Sequence, residues 1–237
     1  MANYDKFGKF YDAIMGDRAK TTERLRGFIC KTSPKAQNVL EIGCGTGSVL
    51  KHLAKDYDVF GLDLSRTMLS IAKKKVPQAR LYRQDMVRFH LRETFDVICC
   101  VFDSINHVLA FAEWKKLFVN AYRHLADNGT FIFDVNTRKK LDRLIATPPW
   151  VHQFGSNLLI ITVTAMPGNA SNWNIKVFER ATGNRYLLHE ENIPEKSFPM
   201  RDIVGALRVH FRQVEVIDPD RERPSSESER LYFVCKK

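Results

Sequence analysis

Among the five cysteines of this 237-residue chain (Cys30, Cys44, Cys99, Cys100, Cys235), none is spaced as C-x-x-C, which argues against a dithiol redox motif or a zinc knuckle. Cys99 and Cys100 fall inside an apolar run, so reduced thiols in the cytoplasm are the natural expectation. Long hydrophobic runs are also missing. The longest apolar-rich stretch, residues 158–166, contains threonines and is too short to cross a bilayer, so no membrane partner is expected. Residues 1–6 hold no apolar segment that could serve as a signal peptide. There is no internal repeat and no low-complexity tract.

Acid is scarce relative to base, but only in one half. The formal charge is +10; residues 1–150 contribute +9 and residues 151–237 only +1. Lys73-Lys74-Lys75, Arg80, Arg83, Arg88 and Arg92 form one cluster, and Arg138-Lys139-Lys140 with Arg143 another. Such clusters fit an RNA surface. They fit a solvated helix face and a guarded edge strand better, because no exposed aromatics are interleaved with them. RNA is thus a possible partner and not the favoured one.

What is present is concentrated in Asn38–Ser48. Val39, Leu40 and Ile42 make a buried strand, glycines follow at 43, 45 and 47, and Ser48 to Lys55 has helical spacing. A strand, a glycine turn and a helix N-terminus make a nucleotide-binding corner, where close backbone approach meets free N–H groups. Glycine is missing at 48, where a dinucleotide fingerprint G-x-G-x-x-G needs it. That argues against a nicotinamide dehydrogenase. The second strand, Asp58–Asp63, ends in an acid twenty residues after Gly43, placed to accept hydrogen bonds from ribose hydroxyls. Ser65 is placed to cap a helix over 66–75, and a third strand, 79–83, leads to Asp85-Met86.

The E-x-G-x-G-x-G form of the turn, with Asp63 and Asp85-Met86 at the next two strand ends, resembles the class I S-adenosylmethionine (SAM) dependent methyltransferases. The resemblance implies a Rossmann-like α/β sheet of order 3-2-1-4-5-7-6, and SAM as cofactor. It implies cofactor contacts from Glu41, Gly43, Cys44, Gly45, Asp63, Leu64, Met68, Asp85, Met86 and Phe102. Phe10-Tyr11-Asp12, Gly61-Leu62-Asp63-Leu64-Ser65 and Ser104-Ile105-Asn106-His107-Val108 are similar to small bacterial methyltransferases, including the amino-sugar N,N-dimethyltransferases. In that group an N-terminal aromatic folds over the cofactor; here the corresponding residue is Tyr11.

The expected organisation is an N-terminal helical cap (1–36), a SAM-binding core (37–149), a three-stranded antiparallel insertion after strand five (150–195), and the end of the core sheet (196–237). Tyr4, Phe7, Phe10, Tyr11 and Ile14 recur on one face of the first helix. Strand four is expected at 95–101 and a long helix with a stripe from Trp114 to Leu125, stopped at Asn128-Gly129. Strand five follows at 130–135. The insertion alternates over 158–163, 173–178 and 185–189, with Gly168-Asn169 and Gly183-Asn184 as turns. A helix over 200–211 and a hairpin of 213–217 with 231–235 finish the chain.

Catalytic groups in such sheets come from the carboxyl ends of the central strands. His107, on the loop after strand four, is the candidate catalytic residue; it either removes a proton from the acceptor or only orients it. Asn106, His107 and Asn136 are the candidate substrate contacts, and Trp150, His152, Phe154 and Trp173 are possible pocket walls. Asp103, Asp134 and Asn136 could ligate magnesium, but the adjacent Asp-Asn pair of such enzymes is absent, so no metal is expected. The Asp/Asn-Pro-Pro-aromatic motif of nucleic-acid amine methylases and the Pro-Cys of cytosine-C5 enzymes are absent too. A small-molecule acceptor follows, with nitrogen favoured over oxygen. The alternatives are a tRNA methyltransferase using the basic half and a non-catalytic SAM-fold scaffold. Exposed edges of the insertion would permit a homodimer.

Overall fold

The computed structural model describes residues 4–237; residues 1–3 of the expected cap and of the leader reading lie outside them. Strand β1 (Asn38–Ile42) forms where the apolar run places it, with Val39, Leu40 and Ile42 fully buried. It pairs in parallel with β2 (Asp58–Asp63) on one side and β4 (Phe95–Cys100) on the other. Beyond β2 lies β3 (Arg80–Arg83), a short edge strand. Beyond β4 lies β5 (Leu125–Asn136), followed by the antiparallel pair β11 (Arg230–Lys236) and β10 (Gln213–Ile217). The order β3-β2-β1-β4-β5-β11-β10 is the expected 3-2-1-4-5-7-6, with four inserted strands shifting the last two labels.

Helices cover both faces, as a parallel sheet requires. On one, α5 (Phe111–His124) and α7 (Met200–Leu207) bury Trp114, Phe118, Ile203 and Leu207 against Phe131 and Phe133. On the other, α2 (Ala19–Thr32) and α3 (Ser48–Leu53) bury Leu25, Ile29 and Leu50. Each such side chain contributes about 1.5–3 kcal/mol. Helix α4 (Arg66–Lys75) starts at Ser65, whose hydroxyl accepts from Met68 N–H at 3.2 Å.

Two helix ends differ from expectation, and one helix was not expected. Helix α5 ends at His124, because Leu125 already pairs with Phe95 and Asn128 adopts a left-handed turn before the ladder resumes at Thr130. The basic 138–143 stretch is helix α6 (Arg138–Ile145), capped by Thr137. Helix α7 stops at Leu207, four residues short of the expected 211.

The insertion corrects the three-strand reading: it is a four-stranded antiparallel sheet, β6 (Trp150–Phe154), β7 (Asn157–Met166), β8 (Ala170–Arg180) and β9 (Tyr186–Lys196). Strand β6 escapes notice because it is a five-residue edge strand with two exposed residues at its start and no clean alternation. The inner face of the four-stranded sheet carries Leu159, Ile161, Ile175, Val177 and Ile193. Against them pack Phe7 and Phe10, which begin and line α1 (Gly8–Met15). Helix α1 thus joins the two sheets. Its Asp12 accepts from the Thr46 and Ser48 hydroxyls (2.6 and 3.0 Å) and pairs with Lys75 at 2.7 Å. At its other end, Phe7 N–H donates to Glu191 at 3.0 Å.

Candidate active site

A cavity of about 360 Å³ opens over the carboxyl ends of β1, β2 and β4. The glycine turn forms its floor. Gly43 has φ +70°, and a Cβ there would lie 3.0 Å from Ser104 Cβ and Oγ; backbone and space both require glycine. Gly45 has φ +52°, and a Cβ there would meet no protein atom, only cavity. The turn brings the Gly45 N–H to Asp63, which accepts it at 2.9 Å and accepts Ser65 N–H at 2.8 Å. Burial raises the Asp63 carboxyl pKa above its ordinary value, against the pull of these backbone donors. Glu41 is 3% exposed, and its Oε2 has no hydrogen-bond partner among the described residues. Burial, reinforced by the Asp63 charge, pushes its pKa well up. An orphaned carboxyl oxygen beside a cavity marks a place for a donor from a ligand.

At the end of β4 the chain takes two successive left-handed residues, Phe102 (φ 60°) and Asp103 (φ 53°), each costing about 1–2 kcal/mol. The strain is held by hydrogen bonds. Asp103 N–H donates to Asp134 at 3.2 Å, and Arg230 donates to Asp103 at 2.6 Å, to Asn136 at 2.9 Å and to Asp134. The guanidinium occupies the centre of the three groups considered for magnesium, so their oxygens serve an internal ion pair. That arrangement aims Phe102 into the cavity, where Arg18 stacks over its ring at 4.1 Å with one terminal nitrogen unpartnered.

The next turn, Ser104–His107, presents His107. Its Nδ1 lies 3.4 Å from the Pro194 carbonyl oxygen, which can only accept, so the proton sits on Nδ1. Its Nε2 then accepts from the Tyr4 hydroxyl at 3.1 Å. Burial lowers the His107 pKa despite the nearby Asp103 charge, which keeps the ring neutral at physiological pH. Burial raises the Tyr4 pKa well above its ordinary value, so Tyr4 remains a phenol.

A second cavity, about 460 Å³, lies between the core, α1 and the inserted sheet. Tyr4, Tyr11, Arg18 and Phe102 line both cavities and form the wall between them. The far side carries Asp103, Asn136, Trp173, Glu195 and Arg230.

Three comparisons bear on this geometry. The family described as "Methyltransferase domain" matches residues 39–129, the strands and turns that build the first cavity. A Geobacillus sp. (strain WCH70) protein named as a methyltransferase is 27% identical over 99% of both chains. A crystal structure of an S-adenosylmethionine-dependent methyltransferase from Clostridium acetobutylicum shares the fold, with a TM-score of 0.85 over 98% of each chain at 24% identity. The chain carries a methyltransferase domain and has the class I SAM-dependent methyltransferase fold. The dTDP-3-amino-3,6-dideoxy-alpha-D-glucopyranose N,N-dimethyltransferase of Streptomyces fradiae is 33% identical, but over only 54% of this chain and 52% of its own.

In this methyltransferase Tyr11, Glu41, Gly43, Cys44, Gly45, Asp63, Leu64, Met68, Asp85, Met86 and Phe102 all line the first cavity, together with His107. The SAM-binding residues implied by resemblance therefore converge in space. Asn106 does not join them. It is fully buried; its amide donates to the carbonyls of Asn136 and Lys196 (both 3.0 Å) and its oxygen accepts Asn136 N–H at 3.0 Å. It ties the turn to β5 and β9 and has no donor left for a substrate. Asn136 does line the second cavity, as do Trp150 and Trp173, whereas Phe154 packs on Phe10 and His152 stacks between Trp150 and Phe154.

Sequence reasoning missed Tyr4 as a site residue, along with Arg18, Glu195 and Arg230. Glu195 left a trace: on β9 it shares a face with the buried Ile193, so an acid stands at an inward position of an alternating strand. The basic clusters are largely engaged within the chain. Lys75 pairs with Asp12, Arg143 with Glu229 and Lys139 with Glu227, while Arg83 donates to the Leu64 carbonyl. No helix among the described residues is long and apolar enough to cross a membrane.

Proposed function

We propose that the methyltransferase acts on a small molecule bound in the second cavity, with an amine nitrogen as the acceptor atom. The carrying observation is the junction: Tyr4, which lines both cavities, bonds its hydroxyl to a neutral histidine on the wall of the first. SAM supplies an electrophilic methyl group on a sulfonium. The residues present fit it. Glu41 offers an unpaired oxygen to its ammonium, Arg18 an unpaired donor to its carboxylate, Asp63 two oxygens to its ribose, and Asp85 with the Met86 N–H a polar edge to its adenine.

An amine becomes a nucleophile by losing a proton and needs no metal. Tyr4 donates to His107 Nε2 while its own oxygen lone pair stays free to accept an N–H from the acceptor. The proton leaving nitrogen passes to the tyrosine oxygen as the tyrosine proton passes to His107. The Pro194 carbonyl, holding Nδ1–H, orients the ring for that transfer. The aromatic walls Tyr4, Tyr11 and Trp173 exclude water from the meeting point. The Streptomyces fradiae relative, whose name specifies an amino sugar, supports nitrogen as the acceptor.

The test is a methylation assay on matched amine and hydroxyl compounds of sugar size, read by mass spectrometry, alongside calorimetric titration with SAM and its demethylated product S-adenosylhomocysteine (SAH). Methylated amines and unchanged alcohols are expected. Methylation of hydroxyls alone would overturn the nitrogen assignment.

A further inference from the structure

The methyltransferase buries two carboxyl groups in mutual contact that the reaction above does not use. Glu195, on β9, is 2% exposed, and Asp103 follows β4; the two side chains are within hydrogen-bond reach of each other. Two carboxylate oxygens in such contact need a proton between them. Their surroundings decide where it sits. Arg230 donates to Asp103, and Lys140 adds a further positive field, so Asp103 is held ionised. Glu195 receives only the Asn136 amide at 3.2 Å, and burial with the Asp103 charge pushes its pKa well up. Tyr4 and His107 face the pair as neutral groups. The pair therefore carries one proton and one negative charge. It lines the acceptor cavity beside Trp173, whose indole Nε1–H is buried with no partner among the described residues.

We propose that the Asp103–Glu195 pair is the subsite that receives the acceptor's amino group in its ammonium form, setting the preference for nitrogen over oxygen. This rests on the amine reading above and deepens it. An arriving R–NH3+ donates to both carboxyl groups, and the shared proton leaves to solvent. One positive charge enters, one proton departs, and no covalent bond changes. A hydroxyl carries no charge and cannot displace that proton. The idle indole N–H of Trp173 gives the subsite a second requirement, an oxygen on the acceptor close to the amine. The acceptor class is thus an amine flanked by a hydroxyl or other oxygen. From this position the ammonium yields one of its protons to the Tyr4–His107 pair before attack.

The experiment uses SAH-saturated protein labelled with carboxyl-13C glutamate, with the Glu195 signal assigned by its absence in Glu195→Gln. Cyclohexylammonium chloride and cyclohexanol serve as probes. The Glu195 carboxyl should start at a protonated shift near neutral pH and move to the ionised position with cyclohexylammonium, but not with cyclohexanol. Calorimetry in two buffers of different ionisation enthalpy should show about one proton released on binding. Glu195→Gln should weaken the ammonium about tenfold or more while leaving SAH affinity unchanged. A Glu195 signal unmoved by cyclohexylammonium in SAH-loaded protein overturns the assignment, as does equal ammonium affinity in Glu195→Gln. Either result leaves the amine reading to its own methylation assay, so the two fail separately.

Discussion

The two sheets of this methyltransferase solve different problems. The seven-stranded sheet buries both faces, and its central strands β1 and β4 are apolar apart from Asn38, Glu41 and Asp96. The four-stranded insert buries one face against α1 and leaves Tyr186, Leu187 and Leu188 of its outer strand exposed. On the first sheet, ligand groups stand at the ends of three neighbouring strands. On the second they become a site only through contact with α1, β4 and β11. The floor of the first cavity is thus a property of one supersecondary unit, and the second cavity a property of the assembly. Variants that act at the joint should cost stability, and variants within the donor unit should cost affinity.

Arg230→Met tests the joint and should have the largest effect. Among the described residues Arg230 alone pairs with the charge of Asp134, which is fully buried, and it also holds Asp103 in its left-handed conformation. Removing one partner of a buried ion pair leaves an uncompensated charge, which costs about 3–5 kcal/mol. Urea unfolding should show that loss. An effect below about 1 kcal/mol would mean the two carboxyl groups find protons at little cost and the joint is weaker than drawn.

Asp63→Ala tests the donor unit and should spare stability by comparison. The carboxylate accepts the backbone N–H groups of Gly45 and Ser65 and faces the first cavity, where the proposed reading sets the ribose. Losing charge-assisted bonds to two hydroxyls should weaken SAH binding by about 100-fold, read by calorimetry. A few-fold change would place the ribose elsewhere.

These two residues also mark what the sequence made legible. Asp63 ends a strand twenty residues after Gly43, so its place at the cavity follows from local order alone. Arg230 begins the last strand, 127 positions from Asp103, and nothing near it in sequence announces the contact. Asn106 shows the opposite error. It lies in the right loop, but its amide is spent on backbone atoms of β5 and β9, partners that only the insertion's fold supplies. Tyr4 was visible as part of an aromatic stripe. The stripe predicts a buried face and is silent on what covers it, and here the covering group is His107.

His107→Gln sits between the two regions and should leave SAH affinity intact while lowering kcat about 100-fold or more, with Tyr4→Phe a smaller loss in the same direction. It also carries a pH signature. The folded pKa of His107 lies below the ordinary value near 6.5, so as pH falls through that value the unfolded chain takes up a proton first. Stability contributed by this site should therefore decline below about pH 6.5 and level off once pH passes the folded pKa. The gap in unfolding free energy between wild type and His107→Gln should narrow over that window. A gap that widens would show the ring charged in the native state.

The smallest effect separates affinity from stability most cleanly. Leu64 lines the donor cavity yet is 49% exposed, an unusual state for a large apolar side chain beside a buried carboxylate. With so little of it packed in the free protein, Leu64→Ala should change unfolding free energy by less than about 0.5 kcal/mol. A bound adenosyl group would cover that surface, and the lost apolar contact at about 25 cal/mol per Å² should weaken SAH by a few-fold. Calorimetry and urea unfolding on the same variant decide it. A stability loss matching the affinity loss would mean Leu64 supports the β2 turn itself; an affinity loss alone would mean this exposed leucine is kept for the cofactor.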